Sequence, residues 1–559
     1  MLLHLIANSH QVSASIFIGE HVNNRKIARI ALSIILLGSL PAFAASCESL
    51  SGLKLPDTTI TSAQSVSAGS FTPPNPGNQP VPSVFKNLPA FCRVTVEVKP
   101  TNDSDIKLEV WMPQSGFNGN FRGEGNGGFA GSPNYLSMAD AVIHGYATAS
   151  TDTGHSGSAI DGSWALGHPE KIVDFGYRAV HEMTVKAKTI IQAFYGQAPH
   201  HAFFAGCSNG GRQGLMEAQR FPADYDGILS GAPANYWTRI FSAFIWDIQA
   251  LQSDPESYIP SRKIPAIAAA VLAACDANDG VKDGVLSDPR SCHFDPATLA
   301  CKSGDSDSCL TPKEAEALKK VYDGPREPSG KQFFPGFEPG GEVGPGGWTT
   351  WITGSAPGKD WQTVFAEGFF KNMITASNPL DLRAVKIQDA IKLADDQQAR
   401  NFNADNPDLA AFAKHGGKLI IYHGWSDAAL PPMATIQYLE SVEKVLGKKS
   451  AESFVRLYMA PGVQHCAGGP GPDSFGQLGR AAAHDPEHDI RLALEAWVEK
   501  GAAPDKIIAA KLANNSNEES GPPHATMTRP LCPYPQIAKY KGSGDDKDAA
   551  NFNCGAPTR

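Results

Sequence analysis

The first third of the chain carries apolar runs with the spacing of strands and one run with the spacing of a helix. Apolar and polar residues alternate over 92–98 and again over 106–112, which predicts two strands joined as a hairpin across 100–103. A short strand-like run follows at 146–149, and apolar residues recur at helical spacing over 174–195. Strands that alternate with helices in this way predict a sheet with parallel strands.

The same alternation returns around a glycine-rich turn and again late in the chain. A buried-type strand at 201–205 leads into the turn, and a helix is predicted after it at 212–220. The apolar runs 418–423 and 454–459 have the length of strands, and 488–500 has the pattern of an amphipathic helix. The predicted fold class is therefore α/β, with a mainly parallel sheet.

The region between about 235 and 410 breaks this rhythm. It holds four cysteines, many glycines and prolines, and several aromatic residues. We interpret 235–410 as a lid domain inserted into a core formed by 46–234 and 411–559, which also suits a chain of 559 residues. Ahead of the first strand, 46–90 is rich in Ser, Thr and Pro and is predicted to be a loop-rich leader.

The N-terminal segment, within residues 1–45, has the pattern of a secretory signal peptide. Basic residues within 25–29 precede an apolar run at 30–40, and 41–45 resembles an A-x-A cleavage site. The apolar run is shorter than the roughly 20 residues that span a bilayer, which argues against a membrane anchor. A lipoprotein acylated at Cys47 is a weaker alternative. The residues before 25 look unlike a signal and are consistent with an over-long start, so we expect a secreted or periplasmic protein without membrane attachment after cleavage.

Charge and cysteine content narrow the classes of partner and cofactor. The net charge is −9 and the isoelectric point is near 6.0, which argues against a nucleic-acid partner. An even number of cysteines in an exported protein indicates disulfides, and the absence of a CxxC motif makes zinc and thioredoxin-like sites poor alternatives. The sequence has ten cysteines: 47, 92, 207, 275, 292, 301, 309, 466, 532 and 554.

The sequence does not fix how these cysteines are connected. Proximity suggests three pairs, with a fourth plausible at the N-terminal edge: Cys275–Cys292, Cys301–Cys309, Cys532–Cys554 and Cys47–Cys92. Cys207 and Cys466 remain, and a free buried thiol at Cys207 is the alternative to a bond between them.

The glycine-rich turn matches the G-x-S-x-G elbow of serine hydrolases over 206–210. A serine hydroxyl attacks well only when a base takes its proton and an acid orients that base. In this fold the partners follow in the order serine, acid, histidine, each after a strand. Asp427 follows the predicted strand 418–423 and His465 follows 454–459, so we predict a triad of Ser208, Asp427 and His465.

Other roles for these residues were weighed. An aspartate in a turn and a hydrogen-bonded loop histidine are both common, but their joint order favours the triad. His423 lies at the end of its strand and Asp405 lies ahead of that strand, so both fit less well. A bond from Cys207 to Cys466 would tie the serine turn to the histidine loop and hold the base in place.

The linked set Cys207-Ser208, Asp427 and His465-Cys466 resembles the CS-D-HC arrangement of the tannase and feruloyl esterase family. That family includes feruloyl esterases, tannases and a hydrolase of mono(2-hydroxyethyl) terephthalate. Further similarity lies in four segments: 206–212, 220–222, 226–228 and 231–234. The resemblance covers nearly all of the mature chain and implies an α/β-hydrolase core, a lid domain and cleavage of aromatic carboxylic esters.

An acyl-transfer site also needs donors for the oxyanion of its tetrahedral intermediate. The backbone N–H of Asn209 is expected to be one donor, and the glycine-rich loop 125–128 is expected to provide the other. Similarity to the family favours Gly127 as the second donor. Gly128 stays open as the alternative, and so does an ordinary glycine turn without this role.

The segment 275–285 concentrates carboxylates and glycine turns. Calcium prefers several hard oxygen ligands, although the terminal glutamate of an EF-hand is missing here and an ordinary Asp- and Gly-rich turn is the alternative. The resemblance to the family's lid calcium loop implies a structural Ca²⁺ and no organic cofactor. It implies that three side chains bind the ion by carboxylate oxygen: Asp276, Asp279 and Asp283. It also implies that Val281 and Val285 bind the ion by main-chain carbonyl oxygen.

Our first functional hypothesis is a serine esterase acting on a small aromatic ester, such as a feruloyl or galloyl ester. A terephthalate half-ester is the alternative within the family, but its free carboxylate favours a fixed cation, and no arginine occurs between Arg326 and Arg383. A serine peptidase or acyltransferase and an inactive hydrolase-fold binding protein are the remaining hypotheses. Four lid aromatics are candidates for the substrate wall, although core packing explains them equally well: Trp348, Trp351, Phe369 and Phe370.

Overall fold

The computed structural model describes residues 45–74, 81–327, 329–376, 378–513 and 524–557. The predicted signal segment therefore lies outside the described residues, apart from Ala45. Within the described ranges, no helix combines the length and the apolar character that a membrane crossing requires.

Strands and helices alternate along the chain. The strands are β1 Thr58–Val66, β2 Phe91–Val98, β3 Ile106–Pro113, β4 Phe121–Glu124, β5 Ala147–Thr151, β6 Ala202–Cys207, β7 Gly227–Gly231, β8 Lys418–Gly424, β9 Val455–Ala460, β10 Ile507–Leu512, β11 Ala525–Leu531, β12 Ile537–Tyr540 and β13 Phe552–Gly555. The α-helices are α1 Tyr135–Ile143, α2 Pro169–Val173, α3 Ala179–Tyr195, α4 Asn209–Arg220, α5 Trp237–Gln252, α6 Ile264–Cys275, α7 Pro312–Asp323, α8 Trp348–Trp351, α9 Trp361–Phe369, α10 Ile387–Phe402, α11 Ala410–His415, α12 Pro432–Leu446, α13 Lys448–Glu452 and α14 Ile490–Lys500.

Nine strands of the described part of the chain form one sheet in the order β1-β2-β3-β5-β4-β6-β7-β8-β9. The pairs from β1 to β5 along this order are antiparallel, and Val98 pairs with Ile106 in the predicted hairpin. Every pair from β5 to β9 is parallel. The predicted α/β class with a mainly parallel sheet is confirmed.

Helices cover both faces of the sheet. Leu419 and Ile421 of β8 belong to a core that includes residues of α3 and α4, whereas Ile420 and Tyr422 pack with residues of α14. Because neighbouring residues of a strand point to opposite faces, both sets are buried. This explains why the central parallel strands are nearly continuous apolar runs in the sequence.

Two strands were not predicted from the sequence. The leader 46–90, interpreted as loop-rich, contains β1, and β4 lies directly ahead of the glycine-rich loop 125–128. β1 is an edge strand paired only with β2 in the sheet, and most of its side chains are at least partly exposed. Its polar composition therefore hid it, because an edge strand has little apolar surface to bury.

The described residues between β7 and β8 add no strand to the nine-stranded sheet. Helices α5 to α10 surround a separate apolar core, to which Phe129 of the sheet-bearing region also contributes, whereas Phe412 of α11 packs in the core of the sheet. The described residues from 45 onward form one compact unit. The limits of a lid domain at 235 and 410 thus stay a prediction.

Five disulfide bonds join all ten cysteines. Four pairs are the ones that proximity in the sequence suggested: Cys47–Cys92, Cys275–Cys292, Cys301–Cys309 and Cys532–Cys554. The fifth bond joins the two cysteines that remained, Cys207 and Cys466. Cys207 is therefore not a free thiol.

Candidate active site

Ser208 stands alone between strand β6 and helix α4. Its backbone has φ +64° and ψ −123°, in a region that residues other than glycine rarely adopt and that costs about 1–3 kcal/mol. The chain tolerates the turn because glycines surround it. A Cβ on Gly206 would lie 2.6 Å from the carbonyl group of Gly210, and one on Gly210 would lie 3.2 Å from the carbonyl oxygen of Asn126. These contacts give the G-x-S-x-G pattern a steric reason.

Asp427 and His465 are brought together by the loops after β8 and β9. Nδ1 of His465 lies 2.7 Å from Oδ2 of Asp427, a hydrogen bond in which the imidazole donates. The other carboxylate oxygen accepts the N–H groups of Ala429 and Leu430 at 2.8 and 2.9 Å. This arrangement fixes the rotamer of the buried carboxylate and, through it, the orientation of the histidine ring.

The electrostatics of Asp427 favour its ionised form. Burial alone would raise the pKa of this carboxyl, but the neighbouring His465 and His423 outweigh burial and hold the pKa below its ordinary value. An ionised Asp427 can stabilise the imidazolium that forms when His465 accepts a proton.

His423 and Asp405, which the sequence made weaker candidates for the triad, have different surroundings. His423 is buried and lies 3.1 Å from Oδ2 of Asp427, so it touches the predicted acid directly. Sequence reasoning missed this contact because it treated His423 only as a rival for the base. Asp405 lies near Asp395 and Arg239 instead, and burial raises its pKa.

Ser208 and His465 line the same cavity. Its walls are apolar and come mostly from the inserted helices α5, α8 and α9, which supply Trp237, Ile240, Phe241, Phe244, Trp351 and Phe365. The other wall residues are Gly128, Asn209, Ala234, Ala429 and Leu430. Narrow apolar clefts with a few polar groups are typical of small-molecule sites. The cavity therefore offers a wall for an aromatic group next to the predicted nucleophile.

Only one of the four predicted lid aromatics lines this cavity. Trp351 does, with its ring edge-on to that of His465 at 5.5 Å between centroids. Trp348, Phe369 and Phe370 are buried in the core of the inserted helices, as the packing alternative predicted. Sequence reasoning missed α5, although its apolar residues at helical spacing begin directly after the family-like segment 231–234.

The expected oxyanion donors lie at the elbow and beside it. Asn209 is the first residue of α4, where backbone N–H groups have no partner within the helix. Gly128 lines the cavity with Ser208, whereas Gly127 lines a neighbouring cavity. Gly128 has φ +53°, and a Cβ there would lie 2.2 Å from the carbonyl oxygen of Ala159, so this turn requires glycine. The choice between Gly127 and Gly128 as donor stays a prediction.

The disulfide Cys207–Cys466 joins the residue before Ser208 to the residue after His465. The two Cα atoms are 5.9 Å apart, and the bond spans 259 positions of the sequence. Cys466, like Ser208, has a positive φ, of 67°. One covalent link thus fixes two unusual backbone turns, and each turn carries one member of the predicted catalytic pair.

The predicted calcium loop folds back on itself through its carboxylates. Asp276, Asp279 and Asp283 each accept a hydrogen bond from a main-chain N–H group of the same loop. Burial raises the pKa of Asp283, Arg529 opposes this effect, and the charge of Asp279 adds to it. The donors are all oxygen, as calcium prefers, so the chemistry of the loop fits this ion.

A second group of metal-capable side chains lies elsewhere, on α3, α4 and the turn after α4. Ligand atoms of His181, Glu217 and Asp224 lie within 4.8 Å of one another. Burial, together with the nearby Asp224, raises the pKa of Glu217 well above its ordinary value. Nδ1 of His181 lies 2.7 Å from Oδ2 of Asp224, so these two side chains are already joined to each other, and we assign no ion to this group.

The chain matches known proteins over most of its length. A family model described as Tannase and feruloyl esterase matches residues 92–555. An uncharacterized esterase of Xanthomonas campestris pv. campestris is 41% identical over 557 residues, covering 95% of this chain and 94% of that protein. The mono(2-hydroxyethyl) terephthalate hydrolase of Piscinibacter sakaiensis is 33% identical over 541 residues, covering 84% of this chain and 85% of that protein. The crystal structure of feruloyl esterase B from Aspergillus oryzae has a TM-score of 0.82 at 30% identity, covering 92% of this chain and 100% of that one.

Proposed function

The chain belongs to the tannase and feruloyl esterase family and is a carboxylic ester hydrolase of aromatic esters; we propose that it cleaves them with Ser208 as nucleophile, His465 as base and Asp427 as orienting acid. The observation that carries this proposal is the shared position of Ser208 and His465 in one apolar cavity, with Asp427 bonded behind the histidine. The strained backbone at Ser208 supports it, since such strain is typical of nucleophile elbows.

The proposed reaction has two halves. Oγ of Ser208 attacks the ester carbonyl while Nε2 of His465 takes its proton, and the oxyanion accepts N–H bonds from Asn209 and from Gly127 or Gly128. The carbonyl–oxygen bond to the alcohol then breaks, and His465 returns the proton to the leaving alcohol. Water attacks the acyl-enzyme and gives one proton to His465. His465 passes this proton to Oγ of Ser208 as the bond between Oγ and the acyl carbon breaks, which releases the acid and restores free Ser208.

We expect the aromatic acid part of a feruloyl or galloyl ester to lie against the apolar wall. The terephthalate half-ester remains the alternative, and the relative with that name supports it. A free carboxylate in an apolar site is costly unless a cation pairs with it. Among the described residues that line the cavity, none is a lysine or an arginine, which favours an uncharged acyl group.

Two further proposals concern the setting of the enzyme. Asp276, Asp279, Asp283 and the carbonyl oxygens of Val281 and Val285 would hold a structural Ca²⁺, which stabilises the loop by neutralising its carboxylates. The five disulfides support export to an oxidising compartment, either the periplasm or the medium.

An ester panel with the purified protein tests the proposed function. Methyl ferulate, methyl gallate and the terephthalate half-ester should be compared for wild type and Ser208→Ala. We expect the methyl esters to be hydrolysed faster than the half-ester, and Ser208→Ala to lose about 10⁴-fold or more in kcat.

Three outcomes would contradict parts of the proposal. Equal rates for wild type and Ser208→Ala would reject the nucleophile. Faster turnover of a matched amide would favour a peptidase. Failure of a phosphonate probe to label Ser208, together with inactivity on every ester, would favour a binding protein.

A further inference from the structure

His423 is a buried histidine whose two ring nitrogens both have partners. It is the last residue but one of β8 and is 1% exposed. Nδ1 lies 2.8 Å from Oγ1 of Thr435, and Nε2 lies 3.2 Å from the carbonyl oxygen of Leu430. Nε2 also lies 3.1 Å from Oδ2 of Asp427. The ring is therefore held at both ends, and one end faces the predicted catalytic acid.

The partners determine where His423 carries a proton. Nε2 faces a carbonyl oxygen and a carboxylate oxygen, which can only accept hydrogen bonds. Nε2 must therefore carry hydrogen and donate. In the neutral ring, Nδ1 then accepts from the hydroxyl of Thr435, so both ring nitrogens have a partner while the N–H of Nε2 points toward Leu430 and Asp427.

His423 and His465 share one oxygen of Asp427. Oδ2 accepts from Nδ1 of His465 and lies 3.1 Å from Nε2 of His423, while Oδ1 accepts two main-chain N–H groups. A carboxylate with three hydrogen bonds and a further N–H group within reach can neither rotate nor take up a proton easily. Loss of one donor would loosen the oxygen that orients the base.

We propose that His423 is a positioning residue of the active site, which donates from Nε2 to Asp427 and so keeps that carboxylate aimed at His465. The proposal rests on the proposed function, since it assigns His423 a part in the same triad. His423 is not among the described residues whose side chains or backbone line the cavity. Its loss should therefore lower kcat and leave KM for an aromatic ester nearly unchanged.

Two substitutions of His423 separate the hydrogen bond from the shape of the ring. His423→Phe keeps a planar ring but removes the donor, and we expect kcat to fall about 10- to 100-fold, the range for one hydrogen bond to a charged group. His423→Gln places an amide N–H near the position of Nε2 and should recover most of kcat. The readout is kcat and KM with methyl ferulate, or with whichever panel ester is turned over fastest.

A double-mutant cycle shows whether His423 acts through Asp427. In an Asp427→Asn background, adding His423→Phe should lower kcat by less than about twofold, because the interaction is already broken. His181→Phe is the matched control, since it removes another histidine–carboxylate pair, 2.7 Å apart, outside the cavity. It should leave kcat and KM near wild type.

Defined outcomes overturn the proposal. It is wrong if His423→Phe keeps wild-type kcat, if His423→Gln loses as much activity as His423→Phe, or if the full loss persists in the Asp427→Asn background. If His423→Phe does not fold, His423→Leu tests the same loss of the donor with a smaller apolar side chain, and an unchanged kcat there would also reject the proposal. An active Ser208→Ala would instead reject the proposed function, so the two failures are distinguishable.

Discussion

Replacing Cys207 and Cys466 together by alanine should damage catalysis and stability by separate routes. The disulfide spans 259 positions. In the chain-entropy model, closing a loop of that length destabilises the unfolded state by about 5–6 kcal/mol. The bond also adjoins Ser208 and His465, and a displacement of about 1 Å between reacting groups can cost 10²-fold in rate. We therefore expect a lower Tm and a kcat reduced by about 10- to 100-fold in protein that is still folded.

The matched control is the double alanine variant of Cys301 and Cys309. That disulfide spans only 8 positions and lies in the inserted region. The same model assigns it about 2–3 kcal/mol, and neither cysteine lines the cavity. This variant should have a lower Tm but wild-type kcat and KM.

The assay compares both variants with wild type at a temperature at which circular dichroism shows all three to be folded. Thermal unfolding gives Tm, and initial rates on a soluble aromatic ester give kcat and KM. If the Cys207/Cys466 variant keeps wild-type kcat while folded, the bond serves stability alone and the positional argument is refuted.

Three further predictions concern the ion, a buried carboxyl and the cavity wall. Chelation of calcium should lower Tm, since removing a ligand present at 100 times its Kd costs about 2.7 kcal/mol of stability. Added Ca²⁺ should restore Tm in wild type but not in Asp279→Asn. Metal analysis that finds no calcium in chelator-free protein would contradict the site. Burial raises the pKa of Asp152 to about 7, so its stabilising contribution is complete below the unfolded pKa near 3.8 and is lost as pH rises through 7. Between pH 5 and 8 the free energy of unfolding should therefore fall by about 2–3 kcal/mol more in wild type than in Asp152→Asn, as denaturant titrations at both pH values can test. Trp351→Ala removes the ring beside His465 and should raise KM for an aromatic ester about 3- to 10-fold, while KM for a short aliphatic ester changes little. Equal effects on both esters would reject the proposal that Trp351 forms a wall for the aromatic group.

The sequence was most informative where chemistry follows a buried strand. β6, β8 and β9 are short apolar runs, and Ser208, Asp427 and His465 come directly after them. Because the carboxyl ends of parallel strands meet at one edge of the sheet, the order of these residues predicted their meeting. The structure brings Asp427 and His465 into contact and puts Ser208 and His465 in one cavity.

Long-range packing was not predictable in the same way. The position of α5 in the cavity wall depends on how the inserted helices pack over the elbow. The local sequence pattern of α5 shows only that one side of this helix is apolar. The contact from His423 to Asp427 depends on the loop after β8, whose path no local signal specifies. β10 to β13 were not predicted either, because they form two-stranded ribbons apart from the main sheet.

Arg212 shows how the elbow and the inserted helices are coupled. Its fully buried guanidinium donates to Oδ1 of Asn209 at 2.8 Å and to the carbonyl oxygens of Gly176 and Phe402. Burial lowers the pKa of Arg212 to about 9, so the group is still a cation at neutral pH. One cation thus binds the helix that follows the nucleophile, the turn before α3 and the end of α10. Because a buried charge is costly when it lacks partners, separating α10 from the elbow would cost this guanidinium the acceptor at Phe402. Arg212 therefore couples the end of one inserted helix to the helix that begins beside Ser208, so a shift of α10 is expected to reach the nucleophile elbow.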